Sequence, residues 1–291
     1  MKDKDLTKMF KSLGLNDIKI IDKNNGTFNF SCSMCGKCCK DREDIILSPY
    51  DVFKLSKGLK LSPTNILKKY CDVYLGNTSN IPVVSLKFSK GINYTFCPFL
   101  KFKDDLFKCE VHEYKPSVCA LFPLGRVSKG GKNTEGIDFD YIIQHNNCGI
   151  DKGEKHTVKE WLNNFNMKDS EQAFIDWSNC VLYLQKTMNL EKVFNDEKIS
   201  DQTRTMIFNG IFNGLYTSIN TNNDILKELN EKYEQTKHFV DYIVTLHYFI
   251  FKNDIRGVGY KPNEETMKEV DGLIDDFNKD NLENVEGCHY D

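Results

Sequence analysis

Between Phe30 and Cys39 the chain reads Phe-Ser-Cys-Ser-Met-Cys-Gly-Lys-Cys-Cys, with thiols at Cys32, Cys35, Cys38 and Cys39. Two residues between cysteines let one tight loop turn successive sulfurs toward a common point. Gly36 can supply the left-handed backbone that such a loop often needs. The C-x2-C-x2-C order occurs in bacterial ferredoxin-type iron–sulfur sites, and C-x2-C occurs in zinc ribbons. Cys39 follows Cys38 directly. Adjacent side chains seldom point the same way, so the pair serves two centres, or Cys39 is a supporting or redox thiol. Cys97, within Cys-Pro-Phe-Leu, then Cys109, Cys119 and Cys148 complete a patterned set of eight. Eight thiolates suffice for two four-thiolate centres, or for one centre and a reactive set. The later four, taken singly, could be small buried hydrophobes. The C-x2-C-x2-CC run is poorly explained that way.

Thiolate ligation suits both iron–sulfur clusters and zinc, so ligand softness does not choose between them. Zinc would want separate tetrahedral sets, signalled by two C-x2-C pairs, and only the first segment has such spacing. A compact run giving three sulfurs, with a fourth from a distant loop, favours an iron–sulfur cluster over zinc. Cys71, Cys180 and Cys288 lie outside the pattern and are not expected to be ligands. His112, three residues after Cys109, and His145, near Cys148, are alternative imidazole ligands, though a packed or hydrogen-bonded histidine is the plainer reading. His156 is expected to be exposed ahead of a helix. Glu234, His238 and Asp241 share a helix face at i, i+4 and i+7, which could hold a metal but more often is a solvated polar face. His247, among Tyr248, Phe249 and Phe251, reads as core.

These residues need a scaffold, and the chain can supply one. Its 291 residues, 40% apolar with 20 Phe and 13 Tyr, are too rich in apolar and aromatic side chains for wholesale disorder. A net charge of −3 leaves no basic footprint for nucleic acid. The longest apolar run, around Ile243–Phe251, is far short of a membrane span. The first residues carry charges of both signs and no apolar stretch, so no signal peptide is expected. Eleven cysteines are about 4% of the chain, below the roughly 8–10% of disulfide scaffolds. The expected location is the cytoplasm, where clustered cysteines are metal ligands or redox groups. No Rossmann glycine fingerprint, phosphate-binding loop, nucleophile elbow or radical-initiating C-x3-C-x2-C order occurs.

Short elements are expected in the first half. They are a helix over Leu6–Leu13, one from Ser48-Pro49 through Leu55, and one from Ser62-Pro63 through Tyr70. Strands are expected over Ile81–Phe88, Tyr94–Phe96, Leu106–Cys109 and Phe139–Gln144, with Lys103-Asp104-Asp105 as a turn. Gly130-Gly131 and Gly136 mark loops. The second half reads as helical. Thr157 caps a helix through Phe165, and Ser170 opens a longer one through Phe174, Trp177, Val181 and Leu184. Further helices are expected at Asp201–Ser218, Asn223–Glu234, Thr236–Lys252 and Glu264–Asn278. The fold class is α+β: a cysteine-rich metal-binding module with a few short strands, and an α-helical C-terminal region packing on it. The expected units are an N-terminal helix and lead-in (1–27), the cysteine module (28–165) and the helical region (166–291).

The ordered pieces resemble a known family. They are F-x-C-x-x-C-G-x-C-C at Phe30–Cys39, I-x-L-x-x-x-D at Ile45–Asp51, CPFL at Cys97–Leu100, C-x-V-H-E-Y-K-P-x-x-C at Cys109–Cys119, Phe122-Pro123, and CGIDKGEKHTVKEWL from Cys148 to Leu162. Over roughly residues 28–165 the chain is similar to the CxxCxxCC zinc- or iron-chelating domains of the YkgJ-type cysteine-cluster proteins, whose broader family includes flagellin lysine N-methylases. Lys115 departs from the Arg the family usually has before the proline. Lys is a point charge without the planar fork, so it would fix a carboxylate or loop less rigidly. The resemblance implies a bound metal or cluster on Cys32, Cys35, Cys38, Cys39, Cys97, Cys109, Cys119 and Cys148. Three functions follow from these readings: a redox or electron-carrying metal-cluster protein, a protein-modifying enzyme such as a flagellin lysine N-methylase-like methyltransferase, or a structural zinc interaction module. A protein substrate or partner is expected, and neither nucleic acid nor membrane.

Overall fold

The computed structural model describes residues 18–42, 44–77, 81–128, 137, 139–143, 150–164, 167–187, 189, 192–193, 196–251, 261–273 and 275. The expected helix at Leu6–Leu13, the Gly130-Gly131 and Gly136 loops, His145, Cys148 and Cys288 lie outside these residues.

The first half forms where local signals demand it. Helix α1 (Pro49–Leu59) starts at a capping box: Ser48 Oγ accepts from Asp51 N at 3.3 Å, and Ser48 N donates to the Asp51 carboxylate at 3.0 Å. Pro49 occupies the first turn, where its missing N–H costs nothing. Helix α2 (Pro63–Tyr70) repeats the device, with Asn65 N donating to Ser62 Oγ at 3.2 Å. The chain then makes antiparallel hairpins. Strands β3 (Cys71–Leu75) and β4 (Pro82–Leu86) pair, as do β5 (Ser89–Lys90) and β6 (Thr95–Phe96). Strands β7 (Leu100–Lys103) and β8 (Leu106–Cys109) form a third hairpin. Its turn residues Asp104 and Asp105 have φ of 54° and 62°. Two consecutive left-handed residues match the right-handed twist of a hairpin, and Asp tolerates that region better than most side chains.

Two further sheets close the module. Strands β1 (Lys19–Ile21), β10 (Phe139–Ile143) and β9 (Leu124–Ser128) make an antiparallel sheet in the order β1-β10-β9. Strand β2 (Thr27–Phe30) pairs with β11 (Ile150–Thr157), whose register shifts between Ile150 and Lys155. Strands β1, β2, β3, β5, β7, β9 and β11 were not expected. None carries a run of β-branched residues long enough to mark it, and all but β11 have five residues or fewer. The short helix α3 (Ser117–Leu121) lies between β8 and β9.

The second half is helical. Helix α4 (Val158–Asn163) is opened by a capping box between Thr157 and Glu160. Helix α5 (Met167–Thr187) starts before Ser170, whose buried hydroxyl donates to Ser117 Oγ rather than capping. Helix α6 (Asp201–Phe212), capped by Ser200, runs into a π-turn over Asn213–Thr217. The π-turn leaves Leu215 and Tyr216 fully buried, and Tyr216 Oη donates to the Leu47 carbonyl at 3.1 Å. Helix α7 (Ile225–Phe251) is one helix where the sequence suggests two. Thr236, where the second of these was expected to begin, donates Oγ1 to the Lys232 carbonyl at 2.8 Å, a back-bond compatible with uninterrupted helix. A last helical segment spans 264–273. Among the described residues, no helix is long and apolar enough to cross a membrane.

The architecture is α+β, with its largest core shared between the halves. Leu47, Val52, Leu55, Ile66, Phe99 and Val111 pack in one cluster with Cys180, Leu184, Ile211, Tyr216 and Val244. A second cluster joins Phe28, Phe30, Leu121, Tyr141, Val158 and Leu162. The helical region is therefore the wall against which the cysteine module is built.

Gly58 shows how tightly α1 is packed. A Cβ at this position would collide with the Tyr114 ring. In an open helix Gly→Ala gains about 1 kcal/mol, whereas overpacking costs about 1–3 kcal/mol. We expect Gly58→Ala to lower the denaturant midpoint in the wild-type background and to raise it when Tyr114 is also Ala. Equal effects in both backgrounds would show that the ring yields.

Candidate metal centre

The cysteine loop is shaped by its neighbours. Gly36 is left-handed, with φ of 71°, and a Cβ there would also meet the Phe107 ring. Phe107 N donates to the Met34 carbonyl at 3.0 Å, which lays the loop along β8. After Gly36 the chain makes one 3-10 turn, Lys37–Cys39, with Cys39 N donating to the Gly36 carbonyl at 3.0 Å. Cys97 N donates to the Cys39 carbonyl at 2.8 Å, and Asp41 N donates to the Thr95 carbonyl at 3.0 Å. Upstream, Ser31 packs against Gly153 of β11, where a Cβ would clash, and Ser31 Oγ accepts from Glu154 N at 3.2 Å. Both ends of the loop are thus held by backbone.

The result is a cavity of about 450 Å³ lined by Cys32, Cys35, Cys38, Cys39, Cys97, Cys109 and Cys119. Seven of the eight patterned thiols, from sequence segments up to 87 residues apart, line one space. The eighth, Cys148, lies outside the described residues. Cys71 and Cys180 are buried elsewhere, with Cys71 Sγ 3.8 Å from the Ile66 carbonyl. Phe30, Phe99, Phe107, Phe122 and Trp161 supply apolar wall. Trp161 is fixed by Nε1 donating to the Leu121 carbonyl at 3.0 Å and by an edge contact with Phe30 at 5.6 Å. As placed, no three His, Cys, Asp or Glu among the described residues are grouped closely enough to hold an ion. The thiols stand around the wall.

Electrostatics divides the thiols. The sulfurs of Cys38 and Cys39 are 3.8 Å apart and share a hydrogen bond. With Cys39 as donor, the Cys38 thiol is lowered to about 6, helped by the positive Lys115 and Arg42, while Cys39 is pushed up. Burial raises Cys97 to about 11 and also raises Cys109 and Cys119. A soft cation entering the cavity would displace those protons. Cationic side chains balance the thiolates that result. Arg42, held by Asp44 at 2.7 Å, and Lys115 line the cavity, and the Lys54 ammonium donates to the Lys115 carbonyl at 2.9 Å.

Other candidates separate cleanly. His112 reaches the cavity wall, and burial lowers its pKa. His156 is half-buried rather than exposed: it meets Trp161 edge-on with ring centroids 5.0 Å apart, and its Nε2 is 3.0 Å from the Phe30 carbonyl. The Glu234–His238–Asp241 face belongs to other interactions. Glu234 pairs with Lys237 at 2.7 Å and His238 with Glu269 at 3.5 Å, while buried Asp241 accepts from Asn263 at 2.7 Å. His247 is buried, as expected. Sequence reasoning missed Arg42, Phe107 and Trp161 as site residues. Only Trp161 carried a signal, its place in the KEWL end of the last matching piece.

The charge pattern is testable in metal-free, reduced protein. Iodoacetamide should modify Cys38 first at pH 7, with a rate midpoint near its pKa of about 6. Cys39→Ala removes the donor and should move that midpoint upward. An unshifted midpoint would place the cause in the cations instead.

Residues 31–149 match the profile of the CxxCxxCC family, described as "Putative zinc- or iron-chelating domain". No curated protein and no solved structure gives a significant match. The matched span begins just ahead of Cys32, ends just after Cys148, and contains every cavity-lining thiol. Over residues 31–149, somewhat less than half of its length, this chain is therefore similar to the CxxCxxCC family of zinc- or iron-chelating domains.

Proposed function

We propose that the cavity holds an iron–sulfur cluster on thiolates drawn from Cys32, Cys35, Cys38, Cys39, Cys97, Cys109 and Cys119, and that the protein exchanges electrons with a protein partner. The observation behind this reading is the count of thiols around one space. Four thiolates about 2.3 Å from a zinc ion satisfy it completely. Seven thiols around about 450 Å³ exceed what one such ion needs. A cluster brings its own sulfides and fills more of the room. The donor set fits it: soft sulfur ligands, nearby cations, and a largely apolar wall of the kind that tunes reduction potential through exclusion of water. When bound, the cluster would supply one-electron redox chemistry. The chain's own residues hold it, shield it with Phe30, Phe107 and Trp161, and balance its charge with Arg42 and Lys115. The reduced thiols required fit the cytoplasm as the place of action.

Protein purified without oxygen should contain iron and acid-labile sulfide in comparable amounts, with a brown colour that dithionite bleaches. Stoichiometric zinc without sulfide would replace this reading with a structural zinc module, which the two overlapping C-x2-C spacings also suit.

Substitutions locate the centre independently of the metal's identity. Cys35→Ser and Cys38→Ser should each lower bound metal substantially and reduce thermal stability. Cys71→Ala and Cys180→Ala remove buried sulfurs outside the cavity and should keep full metal content despite some loss of stability. Metal loss in Cys180→Ala would show that the helical region supplies a ligand.

A further inference from the structure

Behind the cavity, one turn of α1 grips the segment that carries Cys119. Asp51 is 3% exposed, and both its carboxylate oxygens are in use. Oδ2 accepts from Ser48 N at 3.0 Å and Ser48 Oγ at 2.9 Å, completing the helix cap. Oδ1 accepts from Ser117 N and from Ser117 Oγ, both at 2.7 Å, across 66 residues of sequence. A cap alone would need only the first pair. Ser170 Oγ of α5 donates to Ser117 Oγ at 2.9 Å and closes the network from the other side.

Lys54 sits one turn along the same face. Its ammonium donates to the Lys115 carbonyl at 2.9 Å, stands 3.9 Å from Asp51 Oδ1, and lies over the Tyr50 ring at 5.0 Å. Only 14% of the side chain is exposed. A lysine so buried is costly unless its charge is matched. Asp51 and Cys119 both favour the charged form, against the burial that lowers it. Lys115 and Ser117 flank Pro116, whose carbonyl accepts from Cys119 N at 2.9 Å. Asp51 and Lys54 thus hold the two residues around the turn that aims Cys119.

We propose that Asp51 and Lys54 are positioning residues of the metal centre: by holding the backbone on either side of Pro116 they fix where the Cys119 sulfur stands. This rests on the metal-centre reading above and extends it to two side chains that touch no metal. Groups that orient metal ligands typically change affinity roughly 10–100-fold when removed.

Cobalt(II) is the probe, because thiolate coordination gives it intense charge-transfer bands and geometry-sensitive visible bands. In wild-type protein, titration without oxygen should produce both. Asp51→Asn and Lys54→Met should weaken cobalt binding roughly 10–100-fold and alter the visible bands. Lys54→Arg, which keeps a cation and a donor, should recover most of both. Ser62→Ala is the control: it removes the α2 cap, away from the cavity, at a cost of about a capping bond. It should lower stability while leaving cobalt affinity and spectrum unchanged. If Asp51→Asn does not fold, Ser117→Ala removes one of the same bonds and should shift affinity in the same direction, by less. Wild-type bands that persist unchanged in the folded variants would overturn this inference alone. So would a Ser62→Ala effect as large as theirs. Absence of thiolate bands in wild-type protein would overturn the metal-centre reading together with it.

Discussion

The structure depends on the closure of the Cys32–Cys39 loop against the β5–β6 and β7–β8 hairpins. Backbone hydrogen bonds from Cys97 to Cys39, and from Phe107 to Met34, make that closure. Side chains alone could not, because thiols repel one another as they ionise and offer only weak hydrogen bonds. Peptide groups carry the geometry, and the sulfurs line the cavity. Gly36 is the hinge of this arrangement. Its left-handed backbone turns the loop, and its missing Cβ lets the Phe107 ring close over it.

Gathering thiols around one space has an energetic consequence. Thiolates formed there on metal loading repel one another. The fold compensates on two sides. Outside the cavity, a core common to both halves anchors α1, α2 and the β3–β4 hairpin against helices α5 to α7. Inside it, a bound metal contributes directly: structural zinc sites give apparent binding energies of about 10–16 kcal/mol, comparable with a domain's net stability of roughly 5–15 kcal/mol. The helical region is therefore part of the scaffold of the centre. Tyr216, donating from the π-turn to the Leu47 carbonyl, ties it to the segment that leads into α1.

Charge follows the same logic. Burial holds Cys97, Cys109 and Cys119 as neutral thiols, while Cys38 shares a proton with Cys39 and ionises early. Arg42 and Lys115 at the wall can accept the negative charge that metal loading creates. Positive charge placed before the ligand arrives lowers the cost of ionising several thiols in one small volume.

Much of this was legible in the residues. The C-x2-C-x2-CC run, Gly36, the Ser48-Pro49 and Ser62-Pro63 helix starts, and the Thr157 cap are local devices whose meaning needs no partner. The eight thiols announced soft-metal chemistry through their type and spacing. That Cys39, Cys97, Cys109 and Cys119 line the same cavity as Cys32, Cys35 and Cys38 was decided only by tertiary structure. The pairing of hairpins across long sequence separations has no local signature. A strand as short as β5, Ser89–Lys90, gives too little alternation to be read. The continuity of α7 through Thr236 depends on a hydroxyl choosing a carbonyl one turn back. His156 is drawn inward by Trp161 and the Phe30 carbonyl. In the sequence Asp51 is the last residue of the I-x-L-x-x-x-D piece, three positions after the Ser48 helix start. Its second oxygen finds Ser117 only because α1 and α3 are brought together by the common core, and burial makes that bond count. Sequence determined the chemistry these side chains can perform, because ligand type and short spacing are local properties. Tertiary structure decided which of them act together, because distance and burial are not.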